Sequence, residues 1–311
     1  MPDKSRSAVQ DILRVAGRWI VRALPYIFLT VGGIVMLYPV LFSLLGSVST
    51  QSEYEQTIFL PIPHTPFSEI DNFLLIFQGT VFLKPLLLTL ARVAVNIAIP
   101  TIVALFGGYV FAKVDFKFKR AAFMVLLSSM MVPGVALMVP NYIWMSRFPF
   151  VGGNMVFSGG MGFINNPAIL FVTGWVNVYA IFLFRQSFVS IGNELAESGE
   201  MDGANFVLII IKLYLPLVMP IVAVLSLNCF LGTWNDYMTS TIYLRNHPDV
   251  SLVATAANAL IEVFRSQQRI GGPDYPKAFA VSTVMMVPPI IVFLFVQKQF
   301  VEGLTMGAVK G

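Results

Sequence analysis

Six apolar stretches dominate the chain, at about Leu24–Val48, Leu86–Phe111, Ala121–Trp144, Pro167–Phe184, Leu213–Tyr237 and Ala278–Val296. Each is close to the ~20 residues that a helix needs to cross a bilayer. The prolines and glycines inside them, such as Pro39, Pro100, Gly107, Gly108, Pro133, Gly174 and Pro220, are tolerated in membrane helices, where they permit kinks and close packing. The pattern predicts an all-α integral membrane protein with six transmembrane helices.

Composition excludes the soluble classes. Hydrophobic residues make up 57% of the chain and charged residues 12%, with a mean hydropathy of +0.77. Soluble domains carry about 25% charged residues. The net charge of +4 is no nucleic-acid signature, because the cations cluster beside the apolar stretches. The single cysteine, Cys229, excludes an internal disulfide and reads as a small core residue. No small-residue cleavage site follows a short apolar core near the start, so no cleaved signal peptide is expected.

The cations also set an orientation. Thirteen lie on one side: five in residues 1–23, then Lys113, Lys117, Lys119, Arg120, Arg185, Lys212, Lys298 and Lys310. Six lie on the other, and Arg92 falls inside the second stretch. Positive-inside bias places both termini, the 113–120 loop and the 193–205 segment in the cytoplasm. Residues 1–23, with Ile12, Leu13, Ala16 and Ile20 on one face, read as an amphipathic helix lying on the membrane surface against anionic lipid. Residues 24–311 form the membrane domain. Three loops face outward. Residues 49–83 contain a short predicted helix from Glu69 to Gln78. Residues 145–166 read as a flexible, glycine-rich loop. Residues 241–277, with an amphipathic run Val253–Phe264, are either solvated connection or a docking surface for an external partner.

Between the fourth and fifth stretches lies Asn193–Pro220, which opens with Glu194, Glu197, Glu200 and Asp202 within nine residues. Asn193 can cap a helix, acids suit its first turn, and Gly203 offers a stop. This predicts a short acidic helix just outside the membrane. Asp202-Gly203-Ala204, followed by Leu215-Pro216, resembles the EAA loop of ABC importer permeases. Trp234-Asn235-Asp236 and the ending Glu302-Gly303-Leu304-Thr305-Met306-Gly307-Ala308-Val309-Lys310-Gly311 resemble elements of the carbohydrate, maltose-type branch. Where the family often has Glu-Ala-Ala, this chain has Glu197-Ser198-Gly199, and Gly199 lowers helix propensity by roughly 1 kcal/mol relative to Ala.

The resemblance implies a type I ABC importer permease fold in a bacterial inner membrane. It implies a homologous permease partner, two ATPase subunits that hold ATP and magnesium, an extracytoplasmic solute-binding protein and a carbohydrate substrate, an oligosaccharide by the branch. It also implies that the 193–204 segment is the coupling helix, with Glu194, Glu197, Ser198, Gly199, Met201, Asp202, Gly203 and Ala204 at or beside the ATPase groove. Glu194, Glu197 and Met201 share one face at spacings of three and four.

The residues themselves argue against an enzyme. The chain has no G-x-x-x-x-G-K-[ST] phosphate loop. His64, His247 and Cys229 form no metal-ligand pattern, so no metal and no cofactor is expected on this chain. Polar residues within apolar stretches are costly and mark pathways or partners. Asn96, Asn141, Asn177, Asn228 and Asn235 offer amides to sugar hydroxyls, and Trp144, Trp175, Tyr179 and Trp234 offer faces to sugar rings. Trp144 also fits an interfacial anchor. Asn228, Trp234, Asn235, Asn177 and Tyr179 are the substrate-pathway candidates. Arg92 reads as snorkelling to the interface, and Asp236 as paired with an unidentified partner. The competing class is a secondary transporter driven by an ion gradient, which needs intramembrane carboxylates as relays. Asp236 is the only acid in a stretch, near its end. A scaffold membrane protein leaves the acidic segment unexplained.

Overall fold

The computed structural model of the protein describes residues 4–64, 69–78, 80–157, 159–247, 249–266 and 272–308, with side chains from Val21 to Gln299. These residues form helices and no strand. The chain falls into two compact units. One comprises Met1–Leu74 with Ile261–Thr283, the other Leu75–Leu260 with Val284–Gly311.

In the first unit, α1 (Lys4–Ser47) is one helix. It has no break at residue 23: the segment expected along the membrane surface is helical and continuous with the helix of the first span. Of the charged side chains expected to hold it there, Arg22 is described and exposed, and the others lie outside the described side chains. From Val21 onward α1 is apolar and bare on nearly every side, the surface expected of a helix facing lipid. Its C-terminal end meets the start of α15 (Tyr275–Ala308) through Phe42, whose ring stands edge-on to Phe279 at 5.5 Å. The Ser43 hydroxyl lies 3.4 Å from that of Thr283.

The following turn is organised by Glu53 of α2 (Gln51–Glu55). Thr50 and Glu53 form a reciprocal capping box, and the Glu53 carboxylate also accepts from the His64 backbone N–H at 2.8 Å. Bonds from the Thr50 and then the His64 backbone amides hold its pKa down at about 2, below the ordinary 4.5. A depressed carboxylate stabilises above its unfolded pKa and loses that contribution as pH falls through the folded one. Amide exchange in residues 50–64, divided by its intrinsic rate at each pH, is therefore expected to stay constant from pH 7 to about pH 5 and to rise between about pH 4.5 and about pH 2. Glu53→Gln should flatten that rise; an unchanged profile would remove Glu53 from the role. α3 (Asp71–Phe77) falls where a short helix was expected, and its Asn72 donates to the Ser47 carbonyl at 3.2 Å.

The second unit is built around α4 (Leu83–Lys113), which packs along α8 (Val178–Val189) and α12 (Met219–Trp234). The crossing with α8 is close. A Cβ on Gly108 would stand 2.5 Å from the Phe184 Cβ and 2.9 Å from the Arg185 backbone nitrogen, a small-residue contact typical of membrane helices. Ala104, Leu105, Tyr109, Phe184, Phe188, Ile210 and Tyr214 form the core of this unit.

Three of the expected spans are broken. Lys119–Met131 and Gly134–Ser146 bend by 94°. The residue before a proline avoids the α region, and Val132, before Pro133, is extended. The fourth stretch divides into α7 (Ile169–Val172) and α8, with Gly174 at φ +85° between them. The fifth begins earlier than expected, with α10 (Phe206–Leu208), a π-helical turn Ile209–Tyr214 and α11 (Leu215–Leu217), and bends by 84° into α12. The wide π turn relieves the clash that Pro216 would make with the carbonyl four residues back. Pro220 lacks the amide that would carry an α-helix through Val218. Three described helices, Val21–Ser47, Leu83–Lys113 and Tyr275–Gln299, are long and apolar enough to cross a membrane; the two bent pairs bring the number to as many as five.

Residues 145–166 are not the flexible loop their glycines suggest. Asn154 is 6% exposed and donates to the Ser146 and Phe148 carbonyls at 3.0 Å each. Its Oδ1 accepts from Gly160 N–H at 2.8 Å. In residues 241–277, the amphipathic run forms α14 (Val253–Arg265). The Val253 amide that starts it donates to the buried Thr89 hydroxyl at 2.8 Å.

Candidate coupling helix and transmembrane polar sites

The acidic segment folds as α9, Glu194–Met201. Leu195 and Ala196 pack on the core of the second unit, and Gly199 is buried against Ile209 and Leu213. A Cβ on Gly199 would lie 2.8 Å from Leu213 Cδ1. The glycine that departs from Glu-Ala-Ala therefore allows α9 to lie close on the π turn, and it faces the chain's own core instead of an outside groove. Glu194, Glu197, Ser198, Glu200, Met201 and Asp202 are exposed, Met201 at 89%. The expected Glu194–Glu197–Met201 face is free.

The helix ends in a left-handed cap. Gly203 has φ +77°. Its N–H donates to the Glu200 carbonyl, and the Ala204 N–H donates to that of Gly199, both at 2.9 Å. These two bonds make a Schellman motif. No atom lies within 4 Å of a Cβ on Gly203, so the requirement there is conformational. Asn205 then caps α10, its Oδ1 accepting from Leu208 N–H at 2.9 Å.

At the other end Asn193 does not cap α9 with its side chain. Its Oδ1 accepts from the Lys113 ammonium at 2.8 Å, and the same ammonium donates to the Ile191 carbonyl. Tyr214 donates to the Gly192 carbonyl at 3.5 Å. A cation at the end of α4 thus fixes the entry to α9, 80 residues later. Charge patterning placed Lys113 in a cytoplasmic loop but gave no sign of this partner. α9 is consequently tied to α4 before it and to the fifth-stretch helices after it.

Within the apolar elements Arg92 does not snorkel. It is 4% exposed, and its Nη2 lies 2.8 Å from Asp236 Oδ2. Asp236 also accepts from the Thr239 amide at 2.9 Å and from its hydroxyl at 2.6 Å. Once the guanidinium is buried, the Asp236 carboxylate is the partner that compensates its charge.

The five pathway candidates do not converge on one site. Trp234 is buried in packing: its indole N–H donates to the Met285 carbonyl at 3.1 Å and its ring stacks on Phe230, so it offers no face to a sugar. Asn228 and Asn235 are exposed, each donating to the carbonyl four residues back. With Gly232, also exposed, they form a stripe at spacings of four and three on one side of α12. Asn177 caps α8 through Ala180 N–H at 3.0 Å and borders the same cavity as Arg92. Tyr179 is exposed on α8 and is not among the residues that border that cavity. Of the other polar candidates, Asn96 donates to the Thr233 hydroxyl at 3.1 Å, Asn141 and Trp144 are exposed on α6 (Met138–Ser146), and Trp175 donates to the Phe171 carbonyl. No group of three or more His, Cys, Asp or Glu residues is arranged to hold a metal among the described residues.

Comparison with known proteins gives the family and the fold. The family described as "Binding-protein-dependent transport system inner membrane component" matches residues 101–306. The arabinooligosaccharides transport system permease protein AraQ of Halalkalibacterium halodurans is 26% identical, over 89% of this chain and 92% of the relative. The maltodextrin transport system permease protein MalD of Streptococcus pneumoniae is 25% identical, over 94% and 97%. A chain of the solved structure of a bacterial ABC transporter that imports the acidic polysaccharide alginate shares the fold, with a TM-score of 0.74 at 23% identity, over 96% of this chain and all of that one. The chain belongs to the binding-protein-dependent transport system inner membrane component family, the multi-pass permeases of bacterial ABC importers.

Proposed function

We propose that this chain is one of two homologous permease subunits of an ATP-driven carbohydrate importer, with an oligosaccharide as substrate. A solute-binding protein delivers the sugar on the outer side. Two separate ATPase subunits bind ATP and magnesium and hydrolyse the nucleotide, and α9 receives the work. The observation that carries this reading is an exposed acidic face on a short helix that is fastened at both ends to membrane elements. The relatives that transport arabinooligosaccharides and maltodextrins support the substrate class. An ion-gradient transporter would need an intramembrane carboxylate free to take up a cation, whereas Asp236 is committed to Arg92 and Thr239. Uptake into vesicles that depends on internal ATP and survives collapse of ion gradients is expected; the reverse dependence would replace this reading with a secondary transporter.

The proposed topology has six spans and both termini inside. In a Cys229→Ser background, cysteines at positions 55 and 250 should react with an impermeant reagent from outside, and one at position 117 only from inside. Outside labelling of position 117 would overturn this orientation.

The Asn228–Gly232–Asn235 stripe is proposed to line the pathway, facing the second permease. Polar groups on an apolar helix are retained where a cavity or a partner receives them. Asn228→Ala and Asn235→Ala should lower uptake while the ATPase stays bound. Parental rates in both would remove the stripe from the pathway. Trp234→Ala should instead destabilise the permease by about 3–5 kcal/mol, as loss of a buried aromatic does.

A further inference from the structure

Beside the stripe on α12, the second unit forms an open cavity of about 210 Å³, bordered by Arg92, Asn96, Asn177, Cys229, Gly232 and Asp236. Three of the five Arg92 N–H donors, the one on Nε and the two on Nη1, are buried without a partner, as is the Asn96 Oδ1 acceptor. Leaving buried donors and acceptors unmade is costly, so these atoms call for an occupant.

We infer that this cavity is a sugar subsite that takes the hydroxyl edge of one uncharged ring unit as the chain of the substrate passes. This rests on the carbohydrate reading above and specifies where and how the sugar is held. A hydroxyl both donates and accepts, and the cavity offers both kinds of partner: Arg92 Nε and Nη1 donate, while Asn96 Oδ1 and the Asp236 carboxylate accept. The charge selects among sugars. Asp236 at 2.8 Å neutralises Arg92, so no net positive charge remains for a uronate carboxylate. An acidic sugar would have to displace Asp236 and leave it buried and unpaired, which is costly. Gly232 joins the cavity to the exposed Asn228–Asn235 stripe, and no atom lies within 4 Å of a Cβ placed on it. A larger side chain there closes the mouth without touching the ion pair.

The test uses the complete reconstituted transporter in vesicles, with maltotriose and raffinose as neutral probes and a tri-uronate as the acidic one. Gly232→Leu should lower uptake of the neutral probe roughly tenfold or more, through a raised KM, while the ATPase still co-purifies. A saturating level of the transported neutral probe should slow alkylation of Cys229, read by mass spectrometry at that residue, roughly fivefold or more. Asp236→Asn, which releases the Arg92 charge, should shift the uptake ratio toward the tri-uronate. Parental uptake by Gly232→Leu, or Cys229 alkylation that ignores the sugar, would mean that the cavity holds water alone and overturns the subsite. A parental transporter that carries none of the three probes would overturn the carbohydrate reading itself, and is recognised because the failure precedes any substitution.

Discussion

Replacing Gly203 with Val is expected to depress ATP-driven uptake and substrate-stimulated ATP hydrolysis together, or to release the ATPase from the complex. The reason is backbone geometry. Gly203 sits at φ +77°, where an L-residue pays roughly 1–2 kcal/mol and a β-branched residue is a genuine outlier. The two bonds of the cap, from Gly203 and Ala204 to the Glu200 and Gly199 carbonyls, depend on that φ. Losing them lets the last turn of α9 drift, and a contact misplaced by that energy loses roughly tenfold in occupancy. Glu197→Lys supplies the complementary test. It leaves the cap and the buried Leu195–Ala196–Gly199 side untouched and reverses charge on the free face, so the same coupled loss should appear with the permease fold intact. Full coupling and full assembly in both variants would show that the work enters elsewhere.

Arg92→Met is expected to lower the thermal stability of the purified permease by about 3–5 kcal/mol, the usual consequence of removing one partner from a buried ion pair. The Asp236 side chain is 17% exposed and would be left with Thr239 alone. Arg92→Met with Asp236→Leu removes both charges and should recover most of the loss, because an apolar pair needs no desolvation offset. The recovery distinguishes a pair effect from a packing effect at Arg92. A single variant that melts with the parent would return Arg92 to the interface.

The membrane class, the short acidic helix and its stop at Gly203 were legible because each rests on local pattern: run length, acids in a first turn, a glycine at a helix end. Arg92 and Asp236 were visible as oddities, but their partnership spans 144 residues of sequence and no local rule could supply it. The link from Lys113 to Asn193 was hidden for the same reason. Breaks in the apolar stretches were signalled by Pro133, Gly174, Pro216 and Pro220. Membrane helices tolerate such residues, so composition could not say that the breaks at Pro133 and Pro220 would reach 94° and 84°. Trp234 misled because an indole serves equally to stack on a sugar or to fill a core. Only its bond to Met285 and its stacking on Phe230 decide. Gly199 looked like a weakness in a helix and is instead a point where that helix packs tightly on the π turn.

Cross-linking tests the central claim most directly. In the assembled transporter carrying Cys229→Ser, Glu197→Cys and Met201→Cys are placed singly on the free face of α9, and Phe157→Cys on the 145–166 loop serves as the control. A short thiol-to-amine reagent is predicted to join positions 197 and 201 to the ATPase subunit, and to leave position 157 unjoined to it. An intact complex in which neither 197 nor 201 reaches the ATPase would contradict the account.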